Sequence, residues 1–142
     1  MEKITNKILL EVITPQKQLV KEEVEEVIVP GELGYLGILP GHRPLLSTLG
    51  YGVLSFRKEN KNRYFAVFGG YVEVLPERVL VFVNEGKEAG DINVENVKEE
   101  KRKIEEELEK AKRGGFKPDE IEKILLRLRK VLLLLEVANK RS

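Results

Sequence analysis

The sequence predicts a small all-β domain followed by a two-helix hairpin. Three observations carry this. Short β-branched and apolar runs, separated by Gly, Pro and Asn, recur at roughly ten-residue spacing as far as Gly90. Beyond it, Glu, Lys, Arg and Leu dominate, and apolar residues return at helical spacing. Gly114-Gly115 then divides that stretch into two amphipathic halves. The chain is therefore read as two domains, 1–90 and 91–142.

The strands come first. Residues 7–14 are β-branched and apolar, and end at Pro15. Residues 24–29 follow and end at Pro30-Gly31. Runs at 51–57, 63–68, 71–75 and 78–83 complete the series. Glu59-Asn60-Lys61-Asn62 reads as a hairpin turn, as does Pro76-Glu77, where proline presets φ. Such a series folds as a sandwich or barrel. The unbroken run Val79-Leu80-Val81-Phe82-Val83 predicts burial on both faces, or an edge that a partner covers.

The helices follow. Asn93 or Asp91 caps the first, because its side chain accepts from free backbone N–H groups. Val94, Val97, Ile104, Leu108 and Ala111 form an apolar seam that Lys101 interrupts. Glu99 with Lys103 and Glu106 with Lys110 are spaced for i,i+4 pairing, worth a few tenths of a kcal/mol each. Gly114-Gly115 stops this helix and Pro118 starts the next. The second helix puts Ile121, Ile124, Leu125, Leu128, Val131, Leu132, Leu135 and Ala138 on one wide face. Leu126, Leu133, Leu134 and Val137 widen it further. Two such helices joined by a short turn make an antiparallel hairpin. The narrow first stripe does not cover the wide second one, so part of the second helix must meet something else.

Composition removes several function classes. Of 142 residues, 42% are apolar, enough for a core, and 35% are charged. The ordinary charged share is about 25%, so much of the chain is solvated surface. A net charge of +1 argues against a dedicated nucleic-acid binder. There is no cysteine and one histidine. That excludes disulfides, thiolate zinc sites, cysteine nucleophiles and multi-histidine metal sites, and it fits a reducing compartment. The first seven residues lack the apolar stretch of a signal peptide. No window reaches the ~18 apolar residues of a membrane span, so a soluble or peripheral protein is expected. Lys/Glu enrichment without Cys or Trp points toward a thermophilic source.

Nothing in the sequence nominates catalytic chemistry. No phosphate-loop motif occurs. Gly31, Gly34 and Gly37 precede Ile38-Leu39-Pro40 rather than a helix, so they read as residues of tight turns. His42 sits in a loop fixed by Pro40, Gly41 and Pro44, and Ser47 has no nucleophile-elbow context. A structural or interface histidine is the reading. The acids lie in runs such as Glu22-Glu23-Val24-Glu25-Glu26 and Glu105-Glu106-Glu107, which are solvated faces. No catalytic residue and no metal site is assigned.

Two blocks point to a family. Val29-Pro30-Gly31-Glu32-Leu33-Gly34-Tyr35-Leu36-Gly37-Ile38-Leu39-Pro40-Gly41-His42-Arg43-Pro44-Leu45-Leu46 strongly resembles the hallmark segment of ATP synthase epsilon subunits. That segment runs like P-G-E-x-G-x-x-G-(I/V)-L-P-G-H-x-P-L-(L/V). Phe68-Gly69-Gly70-Tyr71-Val72-Glu73-Val74 resembles the family's (S/G)-G-G-(F/Y)-(V/L)-E-V. Asp91-Ile92-Asn93-Val94-Glu95 stands where the family has I-D-x-x-R-A, a weaker match. The resemblance covers the chain in order.

It implies a β-sandwich of about ten strands and a C-terminal helical hairpin. It implies a non-catalytic subunit of a proton- or sodium-translocating F-type ATP synthase, peripheral on the cytoplasmic face of the bacterial inner membrane. The sandwich would tie the gamma subunit to the c-ring, with Glu32, Tyr35, Leu36, His42 and Arg43 as interface candidates. Tyr35 departs from the acid that many relatives carry there. The hairpin would act as a regulatory arm, folded on the sandwich or extended toward the alpha and beta subunits to block hydrolysis. Residues 117–142 carry a net +3, and Arg127, Arg129 and Lys130 are the candidates for contact with beta.

No cofactor is implied. Some relatives bind ATP through the helical motif and second-helix arginines. Here the corresponding positions are Ile92, Asn93, Asn96 and Val97, with Arg129 as a second-helix counterpart in a register that Gly114-Gly115 leaves open. An acid and a base are lost, so weak or absent ATP binding is expected. The alternative reading is a free-standing sandwich adaptor with a helical interaction arm.

Overall fold

A computed structural model describes residues 6–140. The N-terminal residues 1–5 and Arg141, which counts toward the basic C-terminal charge, lie outside the described residues. Eight strands precede two helices: β1 (Ile8–Ile13), β2 (Gln18–Val24), β3 (Glu26–Gly31), β4 (Gly34–Ile38), β5 (Leu45–Lys58), β6 (Lys61–Leu75), β7 (Arg78–Val83) and β8 (Gly86–Glu88). A 3-10 turn at Ala89–Asp91 leads to α1 (Val94–Lys112) and α2 (Pro118–Ala138).

The strands form one sheet in the order β2-β1-β7-β6-β5-β3-β4, with β8 also paired to β6. Long β5 and β6 fold this sheet into a sandwich. Their ladder runs from Lys58↔Lys61 to Leu45↔Val74, but passes directly from Tyr51↔Phe68 to Leu49↔Gly70. Gly50 and Gly69 are the residues skipped, and Gly69 and Gly70 hold φ of 79° and 139°. Both long strands bend there and serve two layers. One layer is β2, β1, β7 and the halves of β6 and β5 beyond the bend. The other is β4, β3, the remaining halves and β8. Each layer thus holds five strand segments, which reconciles the eight continuous strands with the ten that the resemblance implies.

Alternation puts Leu10, Val12, Val72, Val79 and Val81 of the first layer against Val27, Val29, Leu54, Phe56 and Phe65 of the second. Burial of each such side chain stabilises the fold by about 1.5–3 kcal/mol. The β5–β6 hairpin closes through Glu59 and Asn60, at φ 52° and 65°. Two positive φ values make a turn that follows the strands' twist.

Several strand expectations need correction. β2, β4 and β8 are additional to the predicted runs. β2 is a charged edge strand, β4 contains two glycines, and β8 has three residues, so none shows a clear apolar alternation. The runs at 63–68 and 71–75 are one strand, because Gly69-Gly70 bends β6 rather than ending it. β7 lies between β1 and β6, so it is not an edge. Val79, Val81 and Val83 are buried, whereas Leu80 and Phe82 are half-buried on the outer face. The β7 run is therefore covered on one face only.

The helices form the expected hairpin. Asn93, not Asp91, is the cap: its side chain accepts from the Asn96 N–H at 3.1 Å. Gly114 and Gly115 take φ of 119° and 89° beyond the end of α1, and Pro118 opens α2. The α1 seam buries Val97, Ile104 and Ala111. On its surface Arg102 bonds both Glu99 and Glu106, and Lys101 pairs with Glu105. One guanidinium fork reaches carboxylates on both sides, and Lys103, expected from spacing to pair with Glu99, acts on it through space rather than in direct contact.

α2 is wedged between α1 and the outer face of the second layer. Ile124, Val131, Val137 and Ala138 are buried, together with Phe68 and Ala66 from the sheet. Tyr51, Val53, Tyr64, Leu133 and Leu134 pack against this cluster. The sandwich is therefore the second host that the wide stripe required. Leu125 and Leu132, expected inside, are exposed, because burial follows two contact directions rather than one stripe.

Candidate functional site

The β3–β4 hairpin projects from the sandwich. Gly31 and Gly34 pair across it and leave Glu32 and Leu33 as its turn. Gly34 has φ 134°, and a Cβ on Gly31 would lie 2.7 Å from the Gly34 oxygen, so the close turn requires both glycines. The Glu32 N–H donates to the Thr48 carbonyl at 3.2 Å, which fixes the turn to β5. Glu32 is exposed and Leu33 fully so, while Leu36 packs against the core. Tyr35 is 62% exposed, yet its hydroxyl accepts from the Val53 N–H at 3.0 Å. Its ring end occupies room that a Cβ on Gly52 would take, 2.8 Å from the hydroxyl oxygen. Tyr35 is thus held across β5 as an exposed, oriented surface.

His42 and Arg43 lie in the loop from Ile38 to Leu45. Gly41, at φ 83°, donates its N–H to the Pro76 carbonyl at 2.8 Å and ties this loop to the β6–β7 turn. The His42 N–H donates to Leu39 at 3.1 Å. His42 Nδ1 lies 2.7 Å from the Arg43 carbonyl. A carbonyl only accepts, so in this bond Nδ1 carries the proton and donates. Ser47 Oγ donates to the Thr48 carbonyl at 3.2 Å. Among the described residues no group of His, Cys, Asp or Glu is arranged to hold a metal.

Arg127, Arg129 and Lys130 of α2, and Lys140 beyond its end, each touch another part of the chain, although Arg127 and Arg129 stay exposed. Arg127 Nη1 donates to Glu107 of α1 at 2.9 Å. The Arg129 guanidinium lies 5.1 Å from the centre of the Tyr51 ring. Lys130 pairs with Glu85 and sits 5.0 Å from the Phe68 ring centre. Lys140 lies 5.7 Å from the Tyr64 ring centre. The sequence did not single out Tyr51, Tyr64 or Glu85. The available signal was Tyr64-Ala66-Phe68, which alternates outward with the buried Phe65 and Val67.

Ile92, Asn93, Asn96 and Val97 come together in a cleft of 340 Å³ between α1, α2 and the sandwich. From α2 the cleft receives Lys130 and Leu134, not Arg129, which lies on the flank beside Tyr51 and Leu132. Glu85 and Asp91 add acidic groups to the cleft, and Lys87 adds a second cation beside Lys130. The Asn93 side chain is already used as the cap of α1. Where β8 pairs with β6, Arg63 makes a two-pronged bond to Glu88 at 2.7 and 2.8 Å and reaches Glu22 at 3.4 Å. The Glu88 bond holds the Arg63 pKa above its usual value.

A second sheet face stays open. On the outside of the first layer, Tyr71 stacks on Phe82 at 4.8 Å. They border a largely apolar cavity of 310 Å³ that Ile13, Thr14 and Pro15 complete. Leu46 and Tyr71 are 68% and 47% exposed there. Among the described residues no helix is long and apolar enough to cross a membrane.

Comparison with known proteins agrees with this architecture. Residues 7–89 match the family described as "ATP synthase, Delta/Epsilon chain, beta-sandwich domain". The ATP synthase epsilon chain of Thermodesulfovibrio yellowstonii is 41% identical over 109 residues, 77% of this chain and 78% of that one. That of Solibacter usitatus is 45% identical over 89 residues, 63% of this chain and 66% of that one. Among solved structures, a chain of the Euglena gracilis mitochondrial ATP synthase, captured as OSCP/F1/c-ring in a rotational state, shares the fold. Its TM-score is 0.65 at 22% identity, over 97% of this chain and 81% of that one. The match over most of the sandwich, and the relative aligned over three quarters of both chains, show that this chain belongs to the ATP synthase epsilon-chain family.

Proposed function

We propose that this chain is the non-catalytic epsilon subunit of an F-type ATP synthase, working in the central stalk of the rotor. The observation that carries the reading is the two-sidedness of the sandwich. One outer face is covered by the chain's own helices, while the other presents Leu46, Tyr71 and Phe82 to solvent. An exposed apolar face of this kind is a protein-docking surface, and the gamma subunit is its occupant in this reading. The β3–β4 hairpin with Glu32, Tyr35 and Leu36, and the loop with His42 and Arg43, would meet the c-ring. The 1–90 domain then links gamma to the ring, and the 91–142 domain is the regulatory arm.

The arm acts on the alpha and beta subunits by leaving its folded position, with Arg127, Arg129 and Lys130 as contacts for an acidic surface of beta. The chain is placed on the cytoplasmic face of the bacterial plasma membrane, held there through the complex. A thermophilic source fits the charge network around Arg63, and a melting temperature above the mesophile range of about 45–65 °C is expected.

The test is ATP hydrolysis by an epsilon-depleted catalytic head of the same source, before and after addition of this chain. Inhibition that disappears on truncation after Gly90 supports both domain roles. Tight gamma binding without inhibition leaves a coupling subunit with a silent arm. No binding to gamma overturns the rotor reading in favour of a free-standing adaptor.

A further inference from the structure

β8 is a strand with no apolar side chain: Gly86, Lys87 and Glu88 pair only with β6. It is also the passage between two apolar clusters. Val83 before it is buried in the sandwich core, and Ala89 after it is buried with the helices. A three-residue strand of this kind needs a further tie, and Arg63 supplies one. Arg63 stands opposite Phe56, Glu88 opposite Phe65 and Glu22 opposite Leu10. Directly opposed residues share a face, so all three charged side chains lie on the core side of their strands. The Arg63 guanidinium lies 5.1 Å from the centre of the Phe56 ring and 5.7 Å from that of Phe65. It forks onto Glu88 and reaches Glu22 in the other layer. Lys58 is a second partner of Glu22, at 3.5 Å. We propose that Arg63 is a positioning residue: its fork to Glu88, braced by Glu22 of the opposite layer, latches β8 onto the sandwich and fixes where the helical hairpin leaves it.

Three features favour a latch over an ordinary surface pair. The four charged side chains are half-buried and the guanidinium rests on two buried rings, so water screens this pair less than it screens Arg102 with Glu99 on α1. The fork is directional. Two parallel N–H bonds set the orientation of the carboxylate, and with it the strand, where an ammonium would act as a point charge. Gly86 completes the fit. A Cβ there would lie 2.9 Å from Leu19 Cδ1 of β2, so β8 is held close to a strand with which, among the described residues, it forms no ladder. The latch is a property of the isolated chain, whichever partners it has.

The test is hydrogen exchange on the full chain. The probes are the Phe68 N–H, which donates to the Glu85 carbonyl at 3.0 Å, and the amides of residues 86–88. Arg63→Met keeps the stem over Phe56 and removes the fork. Glu88→Gln keeps the shape and removes the charge. Each is expected to speed exchange at these amides about fivefold, with β1 and β7 amides unchanged. Arg63→Lys keeps the charge without the fork and should recover only part of the protection. Glu22→Gln should act more weakly, because its bond to Arg63 is the longer one. Arg57→Met breaks a pair of similar exposure with Glu26 and should leave the probes unchanged. Raising salt from about 0.05 to about 0.5 M should speed wild-type exchange at the probes about twofold and leave Arg63→Met nearly unaffected. Unaltered exchange in Arg63→Met, or equal acceleration in β7, would overturn the latch. So would full protection in Arg63→Lys, equal acceleration by Arg57→Met, or the same salt response in wild type and Arg63→Met.

Discussion

Gly70 lies directly against the backbone of Phe82: a Cβ at position 70 would overlap the Phe82 carbonyl oxygen. Gly70 also holds φ 139°, which L side chains rarely adopt. It occupies the bend that lets β6 pass from one layer to the other, so both layers depend on it. Gly70→Ala is expected to lose at least about 3 kcal/mol in chemical denaturation, the size of other strained-backbone changes. Gly37→Ala is the control, because nothing lies within 4 Å of a Cβ there and its φ is ordinary. It should change stability by no more than about 0.5 kcal/mol.

The same bend explains what the sequence does and does not reveal. Hydrophobic runs announced β1 and β7, and Gly114-Gly115 with Pro118 announced the arm, because these are local patterns. Gly69-Gly70 looked like a boundary because glycine pairs usually end strands. Its actual role depends on Phe82 and Asn84 crossing nearby, which is long-range information. The docking site behaves likewise. Arg127, Arg129 and Lys130 were legible as a basic cluster, but their partners Glu107, Tyr51 and Glu85 lie 20, 78 and 45 residues away along the chain. Spacing within a helix carries no trace of such pairings. Arg129, which the resemblance offered as a second-helix counterpart in an open register, lies beside Tyr51 and Leu132 while its neighbour Lys130 lines the cleft, because two consecutive helix positions point to different neighbours.

Tyr35 separates a structural from a docking role within one side chain. Tyr35→Phe removes the hydroxyl that accepts from Val53 N–H and leaves that donor unpaired. A loss of about 0.5–1.5 kcal/mol is expected in thermal or urea unfolding. Its ring face remains, so retention on a c-ring preparation should be preserved. Tyr35→Glu replaces that face with a charge and should weaken retention. Equal retention of the wild-type and Glu forms would remove Tyr35 from the interface.

The surface of α1 carries a measurable electrostatic signature. Bonds from Arg102 hold the Glu99 carboxyl below its ordinary pKa of 4.5. A depressed carboxylate stabilises the folded state above the unfolded pKa, and that contribution is lost as pH falls through the folded value. Because the pair is exposed, the effect belongs to the acid limb and should shrink with added salt. A carbon-detected NMR titration should find the Glu99 midpoint below 4.5, and Arg102→Gln should raise it toward that value. An unchanged midpoint in the variant would place the cause elsewhere.

The cleft below α2 is expected to take ATP poorly. A triphosphate needs several cations directed at its oxygens, best supplied as guanidinium forks. Here Lys130 is paired with Glu85, Leu134 stands beside it, and Lys87 is the other cation of the lining, a point charge rather than a guanidinium fork. Asn93 and Asn96 have no charge to offer, and Glu85 and Asp91 would repel phosphate. Calorimetry on the full chain should give a dissociation constant weaker than about 1 mM, less than about 4 kcal/mol of binding free energy. Glu85→Gln supplies the discriminating comparison, since it frees Lys130 and removes one repelling charge. Tighter ATP binding by this variant would show that the internal pair, rather than the shape of the cleft, keeps nucleotide out. Sub-millimolar binding by the wild-type chain would mean that the asparagines, Lys87 and Lys130 suffice, and would reverse the expectation.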